Sequence, residues 1–538
     1  MRNKKNLGSY YTPKIVADFL VGYLSDKITK SNLSILEPSC GDGAFIRSIY
    51  ENKSLSVRIK QVVAVERQKR ELLKAKAITT SITLVAHHAD FLKFQLDNKD
   101  KFDVVIGNPP YIKKSLLTKK QISLCEEIHR QYPLLSGNSI KNIWTAFLVR
   151  SVQYVSDTGV LALVLPAELL QVKYAAELRA LVISQFERTE VFSFNELLFN
   201  DSKGQDTVLL VCEKKAAVKG VYYCNVEKVT DLNQKTFSFA QNISVQNSKK
   251  WTHYHLTSDE MELLEKLRKP IKTVKNYCAS KVGIVTAAND YFIVNKAVVN
   301  KFSLQRFVKP IVLRGAFMNG SVILTPEEFE SLVSQSKQTF LIAINETAKI
   351  KRNTKLHHYL QQGIKRKLFE GSKASQRANW YAIPNIEAPP EAFFLRRCDE
   401  YPKLIKNEAN VLVTDTAYQI KMNQEFDLNS LVHSFYNSLT LTFAELDGRF
   451  YGGGVLELTP NEFKGLPIPY VKISTKQFDV FAEQFKSKNS INDVCKANDP
   501  FILKSTMPGI SDETIDSLLT IRKKLYNRRI KSSQAIAD

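Results

Sequence analysis

Short apolar runs alternate with amphipathic stretches through the first 213 residues, and no other feature limits the fold as much. The runs centre on Ile35, Val63, Leu84, Val104, Leu163, Phe192 and Leu209. Each is short and bounded by turn residues, which reads as a buried strand, and the stretches between read as helices. Strands joined by crossover helices build a mostly parallel sheet covered on both faces. The last two runs have no long helical stretch between them, so they are expected to form an antiparallel hairpin. The expected class is α/β with seven strands.

Ligands of such sheets sit at the carboxyl ends of the strands. The run Phe102–Gly107 delivers Asn108-Pro109-Pro110-Tyr111 to that edge. These residue types suit a planar base with an exocyclic amine. The Asn108 amide oxygen and the Pro109 carbonyl can accept its two N–H bonds, and the Tyr111 ring can stack on its face. Taken alone, X-Pro-Pro is more often plain turn punctuation. The upstream strand ends add weight. The segment 33–45 runs from a strand into a glycine turn, where Gly41 and Gly43 allow positive φ and close ligand approach. Gln61–Glu66 is a second strand ending in an acid, the usual ribose-hydroxyl acceptor of dinucleotide-type folds. A third strand, Ile82–Ala86, leads to Asp90-Phe91, an amine acceptor beside a ring. Any one of these acids is more often a solvated loop residue. Their series is hard to ascribe to chance.

The order of these motifs resembles the gamma-class S-adenosylmethionine-dependent DNA adenine-N6 methyltransferases of type II restriction–modification systems. The resemblance implies a Rossmann-like seven-stranded class I methyltransferase domain followed by an α+β target-recognition domain. Gly8-Ser9-Tyr10-Tyr11-Thr12-Pro13 is similar to the N-terminal cofactor-contacting motif, so Tyr11 and Thr12 are expected at the cofactor. The stretch Glu37–Phe45 resembles the glycine loop at the methionine moiety, which implicates Glu37, Pro38, Cys40, Gly41, Gly43 and Phe45. Glu66 matches the ribose acid, Asp90 the adenine-amine acceptor and Phe91 its neighbouring ring. Asn142–Phe147 resembles the helix whose phenylalanine, here Phe147, packs near the cofactor. Phe194–Phe199 resembles the loop whose aromatic, here Phe199, stacks on an extruded base opposite Tyr111. Arg67-Gln68 departs from the pattern, which often has an apolar residue and a second acid there.

At 538 residues, two or three domains are expected, and 44% hydrophobic content supports packed cores. The chain has no run of 18 apolar residues and no apolar core in its basic N-terminus, so neither a membrane span nor secretion is expected. Seven cysteines without a Cys-x-x-Cys pair argue against a metal site and fit a reducing bacterial cytoplasm. A net charge of +22 points to a polyanionic partner, and with the resemblance to duplex DNA. A monomer is expected. The resemblance also allows a cognate restriction endonuclease acting separately.

The expected division is a catalytic domain over 1–215, a linker with small elements over 216–274, a target-recognition domain over 275–470 and a helical segment over 471–538. The polar segment between Tyr111 and Trp144 is expected to be a mobile loop. Residues 346–377 hold nine Lys/Arg against two acids, with His357, His358, Tyr359, Trp380 and Tyr381 among or after them. Lys365, Arg366 and Lys367 are the expected phosphate contacts. A solvated helix face is an equal competitor. Arg396 and Arg397 follow an aromatic strand and are expected near bases or phosphates, at most one on the base side. Arg449, Tyr451 and Gly453 lie in a glycine-rich stretch that could approach DNA closely. Competing readings are methylation of RNA adenine or of a glutamine amide, and a non-catalytic DNA-specificity protein on the same fold.

Overall fold

A computed structural model describes residues 11–534 except 79–81, 96–100, 137–139, 195–197, 200–206, 235, 242–250, 252–255, 314, 316–319, 452–453 and 488–489. The chain divides into two compact units. One comprises Met1–Glu262 with Tyr451–Gly454 and Arg528–Asp538, and the other Leu263–Phe450 with Val455–Asn527.

The first unit is built on one sheet. Its strands are β1 (Leu33–Glu37), β2 (Ile59–Glu66), β3 (Thr83–His88), β4 (Phe102–Gly107), β5 (Val155–Pro166), β6 (Arg188–Phe194), β7 (Thr207–Glu213), β8 (Gly220–Val226) and β9 (Ala240–Gln241). They lie in the order β3-β2-β1-β4-β5-β7-β6-β8-β9. The first five are parallel, and β7 is antiparallel to both β5 and β6. All seven expected strands and the terminal hairpin are present. The chain leaves β1 toward β2 and β3, then returns to place β4 on the other side of β1. That reversal opens a crevice at the carboxyl ends of β1 and β4.

Alternate residues of the central strands feed two cores. Val105 of β4 packs with Trp144, Phe147 and Leu148, whereas Val104 and Ile106 pack with Val16, Leu20, Phe45 and Ile49. A period of two on a sheet covered on both faces makes a continuous apolar run.

Two expectations fail in this unit. The sheet does not end near 215. β8 pairs in parallel with β6, and Val221, Tyr223, Cys224 and Val226 are buried. The segment read as a linker therefore supplies two further strands, and its polar flanks hid them. Nor is 112–143 a plain loop. A 12-residue helix, Lys119–Arg130, buries Cys125, Ile128 and His129 on one side, and Thr118 with Gln121 forms a capping box at its start. Lysines at its exposed positions masked the stripe.

The second unit holds a five-stranded sheet in the order Cys278–Val282, Ala417–Met422, Ala392–Leu395, Leu404–Asn407, Ile323–Leu324. A four-stranded sheet runs Ile293–Val294, Phe340–Ile342, Val308–Val312, Leu412–Val413. Of the helices beyond 470, Thr475–Ser487 and Ile491–Thr506 belong to this same unit. Two helices follow in sequence, Leu428–Phe435 and Ser438–Asp447. Asn437 separates them, accepting from the Thr440 N–H at 2.9 Å as the cap of the second. The helix Ser258–Arg268 is capped by Thr257, which accepts from the Glu260 N–H at 3.2 Å. Among the described residues no helix is long and apolar enough to cross a membrane.

Candidate functional site

The crevice at β1 and β4 holds a cavity of about 380 Å³. It brings together twelve of the residues singled out from the sequence: Tyr11, Thr12, Glu37, Pro38, Cys40, Gly41, Glu66, Asp90, Phe91, Asn108, Pro110 and Phe147. Strand pairing explains this convergence. β1, β2 and β4 end side by side, so the residues just past each strand share one edge.

The glycine turn is held by the acid of the neighbouring strand. Glu66 accepts from the Gly41 N–H at 3.0 Å through Oε2 and from the Gln68 N–H at 2.7 Å through Oε1. Gly43 has φ +87°, and a Cβ there would lie 2.6 Å from Ile78 Cδ1 and 3.1 Å from the Ala75 backbone. Gly43 thus serves packing and conformation rather than direct contact, and it does not line the cavity. Phe45 does not line it either, being buried in the core beneath. Gly107 is a residue the sequence reading missed. A Cβ at that position would sit 3.2 Å from Pro38 Cδ, so the glycine lets β4 close onto the loop after β1. Ser39 was also missed. Its hydroxyl donates to the Asn108 carbonyl at 3.1 Å and ties the two loops together.

Acids dominate the walls: Glu37, Asp42, Glu66, Glu71 and Asp90, with Arg67 and Arg70 exposed at the rim. Glu37 is 1% exposed, and its Oε2 is buried without a hydrogen-bond partner among the described residues. Burial, then Glu66, then Asp42, hold its carboxyl well above the usual carboxylate range. Burial, reinforced by Glu37 and Glu66, pushes the Cys40 thiol up, so it is no nucleophile at neutral pH. Asp90 accepts from the Leu92 N–H at 3.1 Å, and Phe91 packs on Phe147 with centroids 5.4 Å apart.

Asn108 is held from both ends of its amide. Nδ2 donates to Thr12 Oγ1 at 3.3 Å, and the Tyr111 hydroxyl lies 3.0 Å from Oδ1. The same hydroxyl is 3.0 Å from the Val164 carbonyl. Here the expected base sandwich is not formed. Tyr111 is 9% exposed and belongs to one core, and Phe199, 6% exposed, belongs to the other. An aromatic ring gains by burial wherever its hydroxyl still finds an acceptor. Pro109 does not line the cavity, and Ile112 and Ile143, not foreseen, do.

The expected DNA-contacting residues fare differently. Arg396 donates to Glu457 Oε1 at 2.7 Å and to the Asp415 carbonyl at 3.0 Å, and Arg397 reaches Glu457 Oε2 at 3.3 Å. The strand ends at Leu395, so the expected alternation of faces does not apply, and both arginines reach one carboxylate. Arg449 pairs with Glu462 at 2.9 Å. Arg366 pairs with Asp290. Lys367 has φ +55° and ends the helix Lys355–Lys365. Lys365 is exposed. Of the aromatics of this stretch, Tyr359 is a core residue, Trp380 and Tyr381 pack partly buried against the same core, and His358 is exposed. Tyr291 and Tyr359 donate reciprocally to each other's carbonyls, and Trp380 packs so closely on the helix that a Cβ at Gly363 would lie 2.1 Å from it. Tyr451 is described only in its backbone, and Gly453, like Gly8–Tyr10 and Asn195–Leu197, lies outside the described residues. Among the described residues no cluster of three or more His, Cys, Asp or Glu is placed to hold a metal.

Known proteins extend the geometry. Residues 25–199 match the family model of the Eco57I restriction-modification methylase, and 248–503 match that of the type II methyltransferase M.Eco57I, C-terminal domain. The chain belongs to the type II restriction–modification methyltransferases. Type II methyltransferase M.AccI of Acinetobacter calcoaceticus is 23% identical over 513 residues, covering 90% of each chain. Type II methyltransferase M.BstVI of Geobacillus stearothermophilus is 22% identical over 342 residues, 54% of this chain and 60% of that one. Among solved structures, the type IIL restriction-modification enzyme MmeI in complex with DNA shares the fold, with a TM-score of 0.58 at 14% identity over 95% of this chain and 71% of that one. The methyltransferase family thus spans both units, since its two models fall largely one on each side of Glu262.

Proposed function

We propose that this chain methylates the N6 amine of an adenine in duplex DNA, using S-adenosylmethionine, within a type II restriction–modification system. The gamma arrangement of motifs fits this reading. The observation that carries it is Asn108, fixed by Thr12 and Tyr111 at the edge of an acid-walled cavity beside the Gly41 turn.

The cavity fits the cofactor. Its volume suits a nucleoside-sized ligand. The buried, unpartnered Oε2 of Glu37 is an acceptor waiting for a donor, as an amino-acid ammonium would be. Glu66 keeps lone pairs for ribose hydroxyls, Asp90 for an adenine amine, and Phe91 and Phe147 offer ring faces. When bound, the cofactor supplies an electrophilic methyl group on a sulfonium.

Adenine N6 is a weak nucleophile because its lone pair is delocalised into the ring. Extruding the base costs a few kcal/mol. Asn108 Oδ1 and the Pro109 carbonyl would accept its two N–H bonds, turn the lone pair toward the methyl group and stabilise the charge that develops on nitrogen. Tyr111 enters as the residue that orients the Asn108 amide. Stacking by Tyr111 or Phe199 requires each ring to leave its core. The proton on the product nitrogen passes to water, so no strong base is needed.

The second unit would supply sequence recognition, and the exposed cations of 346–377 backbone contact. The test is to map modified bases in DNA from cells expressing the chain, beside Asn108→Ala. N6-methyladenine at one recurring sequence, reduced about 10²–10³-fold by Asn108→Ala with cofactor binding retained, is the expected result. Methylation confined to RNA or to protein glutamine would replace this reading.

A further inference from the structure

The segment directly after Tyr111 carries a second cationic surface, in the catalytic unit itself. Ile112–Lys114 and Lys141–Ile143 form a short antiparallel ribbon. The Ile143 N–H donates to the Ile112 carbonyl at 2.9 Å, the Lys114 N–H to the Lys141 carbonyl at 2.8 Å, and Lys113 bridges Asn142 between them. Ile112 and Ile143 are buried and line the cavity, whereas Lys113 and Lys141 are exposed. The ribbon therefore has an apolar side toward the cavity and a cationic side toward solvent.

The adjoining helix extends this surface. Lys119 and Lys120 are exposed in its first turn, which contains no acid. Cations are disfavoured there by the helix dipole. From Pro109 to Cys125 the chain holds four lysines and no acid, and the first acids, Glu126 and Glu127, come past the helix midpoint. None of Lys113, Lys119, Lys120 and Lys141 makes an ion pair among the described residues. Unpaired like charges at the wrong end of a helix oppose local stability, and such local conflicts concentrate at functional sites.

We propose that this lysine-edged ribbon grips the phosphodiester backbone of the DNA strand whose base enters the cavity. The inference rests on the reading of the chain as a DNA methyltransferase. The backbone hydrogen bonds of the ribbon fix the lysines relative to Asn108, five residues before Lys113. A phosphate held there would set how far the extruded nucleotide reaches.

The experiment uses the full chain with Lys113, Lys119, Lys120 and Lys141 replaced together by Ala, and a companion with all four replaced by Arg. Duplex DNA binding is measured directly across a salt series, and methyl transfer separately. The alanine variant is expected to bind at least about ten-fold more weakly at moderate salt, with the slope of log K against log salt reduced by up to about 0.9 for each phosphate no longer neutralised. Sequence preference and cofactor binding should be unchanged, because phosphate contacts carry no base information. The arginine companion should restore affinity. Unchanged affinity and slope in a parent that methylates DNA would overturn the ribbon alone. A parent that binds duplex DNA but methylates none would overturn the proposed function while the slope comparison still reads the ribbon. Tighter binding to an RNA duplex than to DNA would overturn both.

Discussion

The cavity of the first unit and the basic stretch of the second were both marked by residue type, yet they differ in how side chains are spent. At the cavity, polar groups converge on empty space. Glu37 keeps an unpartnered oxygen, and Glu66 and Asp90 each make bonds that still leave lone pairs. In the second unit, the named arginines are already paired with carboxylates. Arg396 and Arg397 share Glu457, Arg449 takes Glu462 and Arg366 takes Asp290. The difference teaches that a motif at a strand end is positioned by the backbone, whereas a charge count says nothing about which charges are already neutralised.

The sharpest test of the first side is Glu66→Ala. It removes two charge-assisted bonds that shape the glycine turn as well as the expected ribose acceptor. Cofactor affinity should fall about 10–100-fold, at about 1.5–3 kcal/mol for such bonds. Calorimetry that finds affinity intact would take Glu66 out of the site and erase the contrast.

Arg396→Ala tests the other side. If the arginine is structural, the effect appears in stability, a decrease of about 1–3 kcal/mol, because Glu457, 3% exposed, is left with only Arg397 as an ion-pair partner among the described residues. Chemical denaturation reads this. A variant of normal stability that binds DNA poorly would return Arg396 to the DNA-contacting set.

Glu37→Gln probes the cavity at smaller amplitude. The folded-state pKa of Glu37 is raised, chiefly by burial, so the native state holds this proton more tightly than the unfolded chain. Its favourable contribution is complete below the ordinary value of 4.5 and disappears as pH rises through the raised range. Removing the carboxyl should therefore raise the melting temperature of the ligand-free protein at pH 8 more than at pH 5. The same change should weaken cofactor binding. An equal shift at both pH values would mean that Glu37 is not held protonated.

Replacing Lys365, Arg366 and Lys367 together by Ala should cost the least in stability, about 0–1 kcal/mol, because the Arg366–Asp290 and Lys367–Glu370 pairs are exposed. Its readout is the salt slope of DNA binding, which shrinks by up to about 0.9 per phosphate contact. An unchanged slope would leave the cluster a solvated helix end, and the ion pair and the φ +55° at Lys367 already account for two of its three residues.

Sequence alone determined the seven central strands, the hairpin and twelve residues of the cavity. Buried strands are written as continuous apolar runs, and the residue after each strand inherits its place from the sheet. Tertiary structure decided the rest. Strand Gly220–Val226 declares itself only by pairing with β6, and helix Lys119–Arg130 only by the side it buries. Gly107 matters because Pro38 lies 3.2 Å from where its Cβ would be, a contact between segments 69 residues apart. The inward turn of Tyr111 depends on the Val164 carbonyl, and the fate of Arg396 on Glu457, each far away along the chain. Local patterns encode where the backbone goes. Which partner satisfies a polar or charged group is settled only when distant segments meet, because the cost of leaving that group unpaired arises on burial.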